Sequence, residues 1–325
     1  MLSRVAERIY WLSRYMERAE NTARLVNVYS SFLMDLPKGT QVGWDTVITI
    51  LGNDEDFYQQ YEQADERSVT RFMLAQKNNF SSIFSSLQMA RENARTTREI
   101  IPSEAWELIN DLYLYTKDNA ARGVARAGRN SFLLKIISCS QQLAGMLTNC
   151  MSHNHAYDFV LIGRNIERAD MSSRIIDVAA AVLLHNKDEA DLPYENALWM
   201  NVLRSLSAYQ MYRQHVRVRI SADDVIAFLL KNEQFPRATF YTLNMLANAT
   251  QELPNNEECL RSVASTRRRV LEADPAQLLA EGTLHEYIDT LQLDIAGIHQ
   301  AVNATWFSRE SLAVTQTQMQ SQSQV

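Results

Sequence analysis

The stretch Tyr10 to Val28, YWLSRYMERAENTARLVNV, returns at Val160 to Val178 as VLIGRNIERADMSSRIIDV. At this offset of 150, Arg14 aligns with Arg164, Glu17 with Glu167, Arg18 with Arg168, Ala19 with Ala169 and Arg24 with Arg174, while Glu20 becomes Asp170. Val5, Ile9, Leu12, Met16, Ala19, Ala23 and Val26 recur at steps of three and four, so the first copy reads as one amphipathic helix from about Leu2 to Met34. Arg14, Glu17, Arg18, Asn21 and Arg24 fall on an arc nearly opposite that apolar stripe. The fold must therefore place two long helices that are each apolar on one side and charged on the other.

Other segments correspond at offsets of 150 to 156. Trp44-x-x-Val47-x-x-x-Leu51 matches Trp199-x-x-Val202-x-x-x-Leu206, Pro37 matches Pro193, Val69 and Phe72 match Val225 and Phe228, and Phe80 matches Phe235. Pro102 matches Pro254, which an Asn255…Glu258 capping box follows. The common order predicts a tandem duplication. Period-2 alternation is not sustained and hairpin turn pairs are missing, which leaves little room for strands. With 9 glycines and 6 prolines in 325 residues, breakers are too scarce to interrupt long helices. The expected fold is all-α: two similar helical halves, 1–152 and 153–310, related by a pseudo-twofold, then a disordered polar tail over 311–325. Within the first half we expect acidic turns from Asp54 to Glu66, a helix from Val69 to Ala75, and a long helix through Arg98. Further helices are expected from Ser103, and after Gly128 to Met151.

A net charge of −6 argues against general nucleic-acid binding, which needs a basic face. Three scattered cysteines, Cys139, Cys150 and Cys259, suggest reduced thiols. The first residues carry charges where a signal peptide needs an apolar run, and the longest apolar run, Val178 to Leu184, is too short to cross a bilayer. These features lead to the expectation of a cytoplasmic protein, with no membrane segment.

Two constellations stand out. The first is the Arg/Glu stripe: Arg14, Glu17, Arg18, Arg24 and their counterparts Arg164, Glu167, Arg168, Arg174. It admits three readings. It could be a solvated face with weak i, i+4 pairs, a structural seam in which the two helices exchange bidentate Arg–Glu contacts, or a site for a ligand's phosphate or carboxylate. The second is Arg91-Glu92-Asn93-Ala94-Arg95-Thr96-Thr97-Arg98, whose Arg91, Arg95 and Arg98 form one stripe of cations. Its second-half counterparts are Leu246, Thr250 and Leu253, so the basic surface belongs to the first half alone. It reads either as a surface docking a partner or an anion, or as a face solvated or paired with the acidic Asp54–Glu66 region. Arg122, Arg126 and Arg129 form a similar stripe.

Catalytic templates fit poorly. Gly123 and Gly128 share only glycine spacing with a P-loop, without its Lys or preceding strand. No His-Glu-x-x-His or Glu-x-x-His occurs, so no metal or other cofactor is expected. Cys150, His153, His155 and Asp158 cluster in one segment, better read as an interhelical loop than a metal site. No nucleophile elbow is present.

YMERAENTARLV, NIERADMSSRII, MARENARTTREIIPSEAWELIN and FPRATFYTL closely resemble the alpha-E domain family, all-helical bacterial proteins with a recurring Glu-Arg pair, over nearly the whole chain to about Arg309. That resemblance implies company more than a reaction: a circularly permuted ATP-grasp ligase, and transglutaminase-like peptidases. It implies a helical accessory subunit acting in trans with an ATP-grasp amide ligase on peptides. The alternative is a self-standing enzyme using the Arg/Glu seam, with Glu17 or Glu167 as acid/base. A peptide or acidic ligand, and a second copy of the chain, are further candidate partners.

Overall fold

α1 spans Ser3–Asp35 and is covered on nearly every side, its charged arc included: Arg14, Glu17, Glu20, Asn21 and Arg24 are buried along with Ile9, Leu12, Ala19 and Val26. A helix amphipathic in sequence is buried all round only if something polar meets its polar face. Here that partner is α8. The computed structural model describes residues 2–36, 42–184, 195–216 and 220–308. Pro37, Gly39, Pro193 and the polar tail lie outside the described residues.

After α1 come α2 (Asp45–Ile50), α3 (Asp54–Tyr58), α4 (Glu66–Ala75), α5 (Ile83–Thr96), α6 (Ser103–Val124), α7 (Arg126–Cys150) and α8 (His155–Leu184). Then follow α9 (Glu195–Ser205), α10 (Tyr209–His215), α11 (Ala222–Lys231), α12 (Thr239–Gln251), α13 (Glu257–Glu272), α14 (Pro275–Glu281) and α15 (Leu284–Val302), ending in a π turn over Asn303–Phe307. The fold is all-α, with no strand among the described residues. Among the described residues no helix is long and apolar enough to cross a membrane.

α1 packs on α5 and α7, α8 packs on α12 and α15, and α1 and α8 pack on each other. α9 also reaches α1, and α2 reaches α8. The buried apolar side chains from Ala6 to Phe307 form one contiguous core around this pair. Local chemistry sets several boundaries. Asp65 accepts from the Ser68 amide at 2.7 Å while the Ser68 hydroxyl accepts from the Asp65 amide at 3.0 Å, a capping box that starts α4. Ser82 caps α5. Asp274 and Pro275 start α14, and Gly282 at φ 73° ends it.

Several sequence expectations shift. The acidic stretch after Asp54 holds a short helix, α3, rather than turns alone. α5 stops at Thr96, two residues before Arg98. α7 begins at Arg126, so Gly128 lies inside its first turn. The Asn255…Glu258 capping box does not form: Asn255 sits at φ 56°, and the Asn256 amide donates back to the Thr250 and Gln251 carbonyls at 3.2 and 3.0 Å. Asn256, the residue before α13, thus closes the end of α12 and makes no side-chain cap for α13.

Candidate functional site: an Arg–Glu joint between two long helices

α1 and α8 meet where Ser13 faces Gly163. The Ser13 hydroxyl donates to the Val160 carbonyl at 2.7 Å, and a Cβ on Gly163 would lie 2.4 Å from the Tyr10 carbonyl oxygen. Only a residue without a side chain permits this approach. One turn further on, the charged arcs face each other at arm's length for Arg and Glu.

Glu167 of α8 receives two arginines from α1. Arg18 gives two hydrogen bonds, Nε to Oε1 at 2.6 Å and Nη2 to Oε2 at 3.0 Å, and Arg14 Nε adds a third to Oε2 at 2.8 Å. The contact is returned: Arg168 of α8 donates from Nε to Glu17 at 2.9 Å. Glu17 has a second cation, Arg237, at 3.0 Å. Arg237 also donates to Asn21 at 2.6 Å and Glu20 at 2.9 Å, and Glu20 takes Arg24 as well. Both central carboxylates are 4% exposed at the side chain. The solvated-face reading therefore fails for this arc.

Burial alone would raise the Glu167 carboxyl, but the charges of Arg18 and Arg14 and their hydrogen bonds outweigh it and hold it down at about 2. Glu17 is also held low: burial opposes ionisation, and Arg168 and Arg237 overcome it. Neither carboxyl carries a proton to donate at neutral pH, and as carboxylates both already face arginines. A cavity of about 20 Å³, bounded in part by Glu17, Glu20, Arg164 and Ser140, touches the joint; it has room for one water molecule and none for a substrate.

The remaining stripe residues divide. Arg24 pairs with Glu20 inside α1, and Arg174 with Asp170 inside α8 at 3.0 Å. Arg174 also lies over Gly52, where a Cβ would come within 2.7 Å of Nη1. Arg164 has no hydrogen-bond partner among the described residues; burial and then Arg168 lower its pKa, while Glu17 partly compensates. The two helices thus differ: Arg14 reaches Glu167, whereas the corresponding place on Glu17 is filled by Arg237.

The second constellation is largely engaged within the chain. Arg91 donates to Asn110 at 2.8 Å and sits over the rings of Tyr113 and Trp106, at 5.1 and 5.8 Å. Arg98, beyond the helix end, curls over Trp106 at 5.0 Å. Arg95 pairs with its neighbour Glu92 at 2.6 Å, both of them exposed. Asn93 accepts the Thr96 and Thr97 hydroxyls through its carbonyl. Aromatic faces from α6, not an anion, lie against two of the three cations. Arg129 of the neighbouring stripe is buried and pairs with Glu66 at 2.7 Å, at the edge of the acidic region.

Cys150, His153, His155 and Asp158 surround the short α7–α8 loop. His153 stacks on Tyr157 at 4.0 Å and contacts the Thr148 carbonyl at 2.9 Å. His153, His155 and Asp158 line a cleft of about 1070 Å³ and do not converge as ligands. A set that does converge is Asp177, His285 and Asp289. There His285 Nδ1 lies 2.7 Å from Asp177 and Nε2 lies 3.5 Å from Asp289, so the ring bridges two carboxylates.

Two parts of the site escaped sequence reading. Arg237 lies in the FPRATFYTL segment and stands 155 residues after Ser82, at the offset that relates Phe80 to Phe235, but neither signal assigned it a partner. Tyr10 and His299 are 289 residues apart, yet the hydroxyl lies 2.7 Å from Nδ1, with Arg14 donating to the same hydroxyl at 3.2 Å. Burial, then Arg14 nearby, pushes His299 down to about 4, leaving the ring neutral at pH 7.

Fold and site together define an all-helical protein centred on a buried Arg–Glu joint. The chain belongs to the Alpha-E family, described as a predicted alpha-helical domain with a conserved ER motif, whose model matches residues 1–307. Glu17-Arg18 and Glu167-Arg168 are the Glu-Arg pairs that build the joint. The chain is 24% identical to uncharacterized proteins of Mycobacterium bovis and Mycobacterium tuberculosis over 332 residues, covering 92% of this chain and 35% of each relative. It thus spans about a third of the length of these relatives. No solved structure matches the chain with significance.

Proposed function

We propose that this chain is a non-catalytic or co-catalytic helical subunit that works beside an ATP-grasp-type amide ligase in a bacterial peptide synthesis or modification system. The observation that carries this reading is the closure of the joint. Glu17 and Glu167 are ionised, shielded and saturated with arginines, which suits a structural role and leaves the self-standing enzyme without a free acid or base there. The ligase itself comes from the family resemblance. A region that forms only 35% of its relatives is also in keeping with a unit that acts beside other domains.

In this reading the two halves descend from a duplication, and α1 and α8 meet about a pseudo-twofold. The placement of α5 and α7 on α1, and of α12 and α15 on α8, supports it. The exposed Arg95 and Arg98 present the first-half surface to the partner or to an acidic peptide. The test is capture of the tagged chain from native lysate at low salt. Recovery of an ATP-grasp protein, reduced by the double variant Arg95→Glu/Arg98→Glu, is the expected result. Failure to recover any ATP-grasp protein contradicts the proposal.

A further inference from the structure

One group of arginines without ion pairs among the described residues lies away from the joint, between α4 and the start of α7. Arg67 and Arg71 stand one turn apart on α4, and Arg126 is the first residue of α7; all three are exposed and make no ion pair among the described residues. With Arg129 they line a cleft of about 610 Å³ whose other walls are Ala75, Ala121, Val124 and Ala125. Its one lining carboxylate among the described residues, Glu66, is already engaged by Arg129. Four arginines against one committed glutamate is a strong local positive charge in a chain of net charge −6.

Arg129 sets the cleft's geometry. It is 4% exposed, and it donates to Glu66 at 2.7 Å and to the Val124 carbonyl at 3.0 Å. Its guanidinium lies over Trp44 at 5.5 Å, while its buried Nε has no acceptor. The start of α7 adds hydrogen-bond donors. Ala125 offers no side-chain cap and the first turn holds no acidic residue, so the first amides of this 25-residue helix can donate to an anion. The carbonyl end of α6 meets α7 at the same Ala125 and offsets its dipole, so the positive charge of the cleft comes from the arginines. At the 156-residue offset that relates Val69 to Val225, Arg67 and Arg71 correspond to Asp223 and Ala227, so the feature belongs to the first half.

We propose that this cleft is a binding site for a compact polyanion carrying phosphoryl groups, held by Arg67, Arg71, Arg126 and the α7 N-terminus. Phosphoryl oxygens match the forked geometry of arginine and can also accept from helix amides. Among the described residues no aromatic side chain lines the cleft, so the site grips charge rather than a stacked base. The site is independent of any ligase partner, and either proposal can fail without the other.

The test is calorimetric titration of the full chain at low salt with inorganic pyrophosphate, with hexaglutamate as the peptide comparison. Saturable one-to-one binding of pyrophosphate is expected, weakened about ten-fold or more by Arg67→Ala/Arg71→Ala, since two charge-assisted contacts are lost. Arg126→Pro, at the first helical position where proline is tolerated and after an extended Ala125, removes one cation and one free helix amide and should also weaken binding without unfolding the chain. Arg204→Ala, outside the cleft, should leave affinity unchanged. No saturation by about 10 mM, weaker than nearly all specific binding, overturns the proposal. So does equal binding by the double variant, equal loss in Arg204→Ala, or tighter binding of hexaglutamate than of pyrophosphate.

Discussion

Arg18 of α1 grips both carboxylate oxygens of Glu167 of α8, at 2.6 and 3.0 Å. The geometry is forked and planar, which lysine cannot reproduce. Because Arg168 contacts Glu17 in return, each helix contributes both signs to the joint. Such a joint fixes the pairing of α1 with α8 more surely than it adds net stability.

Glu17→Gln tests the consequence of breaking it. The variant keeps an acceptor but leaves Arg168 and Arg237 partly unpaired in a buried setting. Loss of one partner in a buried pair typically costs about 3–5 kcal/mol, and Glu20 remains on Arg237, so we expect the lower end of that range. Denaturant unfolding of the variant and the parent measures it.

Acid should weaken the joint through Glu167. Its carboxyl is at about 2 in the folded chain, against 4.5 for an unperturbed glutamate. The lowered value means the folded state resists protonation, so its contribution is complete above about 4.5 and is lost as pH falls toward 2. The difference corresponds to about 3 kcal/mol. Stability measured from pH 6 to pH 3 should fall less steeply in Glu167→Gln than in the parent, from a lower starting point.

Two histidines should titrate with opposite sign. His285 is raised above 6.5 by its hydrogen bond and attraction to Asp177. Its contribution is present below 6.5 and is lost as pH rises through the folded value. Arg174 and Asp289 also face this clamp. His299 is lowered to about 4 by burial and Arg14, so its contribution is present above 6.5 and declines as pH falls toward 4. Proton-detected titration of each ring, with His285→Gln and His299→Gln for assignment, should show the two midpoints on opposite sides of 6.5.

Gly163→Ala should act through backbone separation. The new methyl would meet the Tyr10 carbonyl at 2.4 Å, and a backbone atom cannot rotate away as a side chain can. Overpacking of this kind costs about 1–3 kcal/mol. In contrast, Gly297→Ala has nothing within 4 Å and lies inside α15, so it should be neutral or mildly stabilising in the same melt.

The long helices and their Glu-Arg pairs were legible because 3.6-residue periodicity and a repeated pattern are local properties of the chain. That Glu17 and Glu167 would face opposite helices was one of three open readings, since periodicity says which residues share a face and not what covers it. The Arg91, Arg95, Arg98 stripe shows the limit. Its spacing assumed a helix through Arg98, but α5 ends at Thr96, and α6 then brings Trp106 and Tyr113 against Arg91. Arg237 and His299 stayed hidden for a related reason: their partners lie more than 200 residues away in sequence, and only packing joins them.

The most direct test of the joint is a double-mutant cycle between Arg18 and Glu167, using Arg18→Ala, Glu167→Ala and the pair, each unfolded in denaturant. Contacting charges in a shared network couple by about 0.5–3 kcal/mol, and two buried hydrogen bonds place this pair near the top of that range. A coupling of about 2 kcal/mol or more, with the pair costing less than the sum of its parts, is the predicted result. Strict additivity, with coupling near zero, would contradict an Arg–Glu joint between α1 and α8.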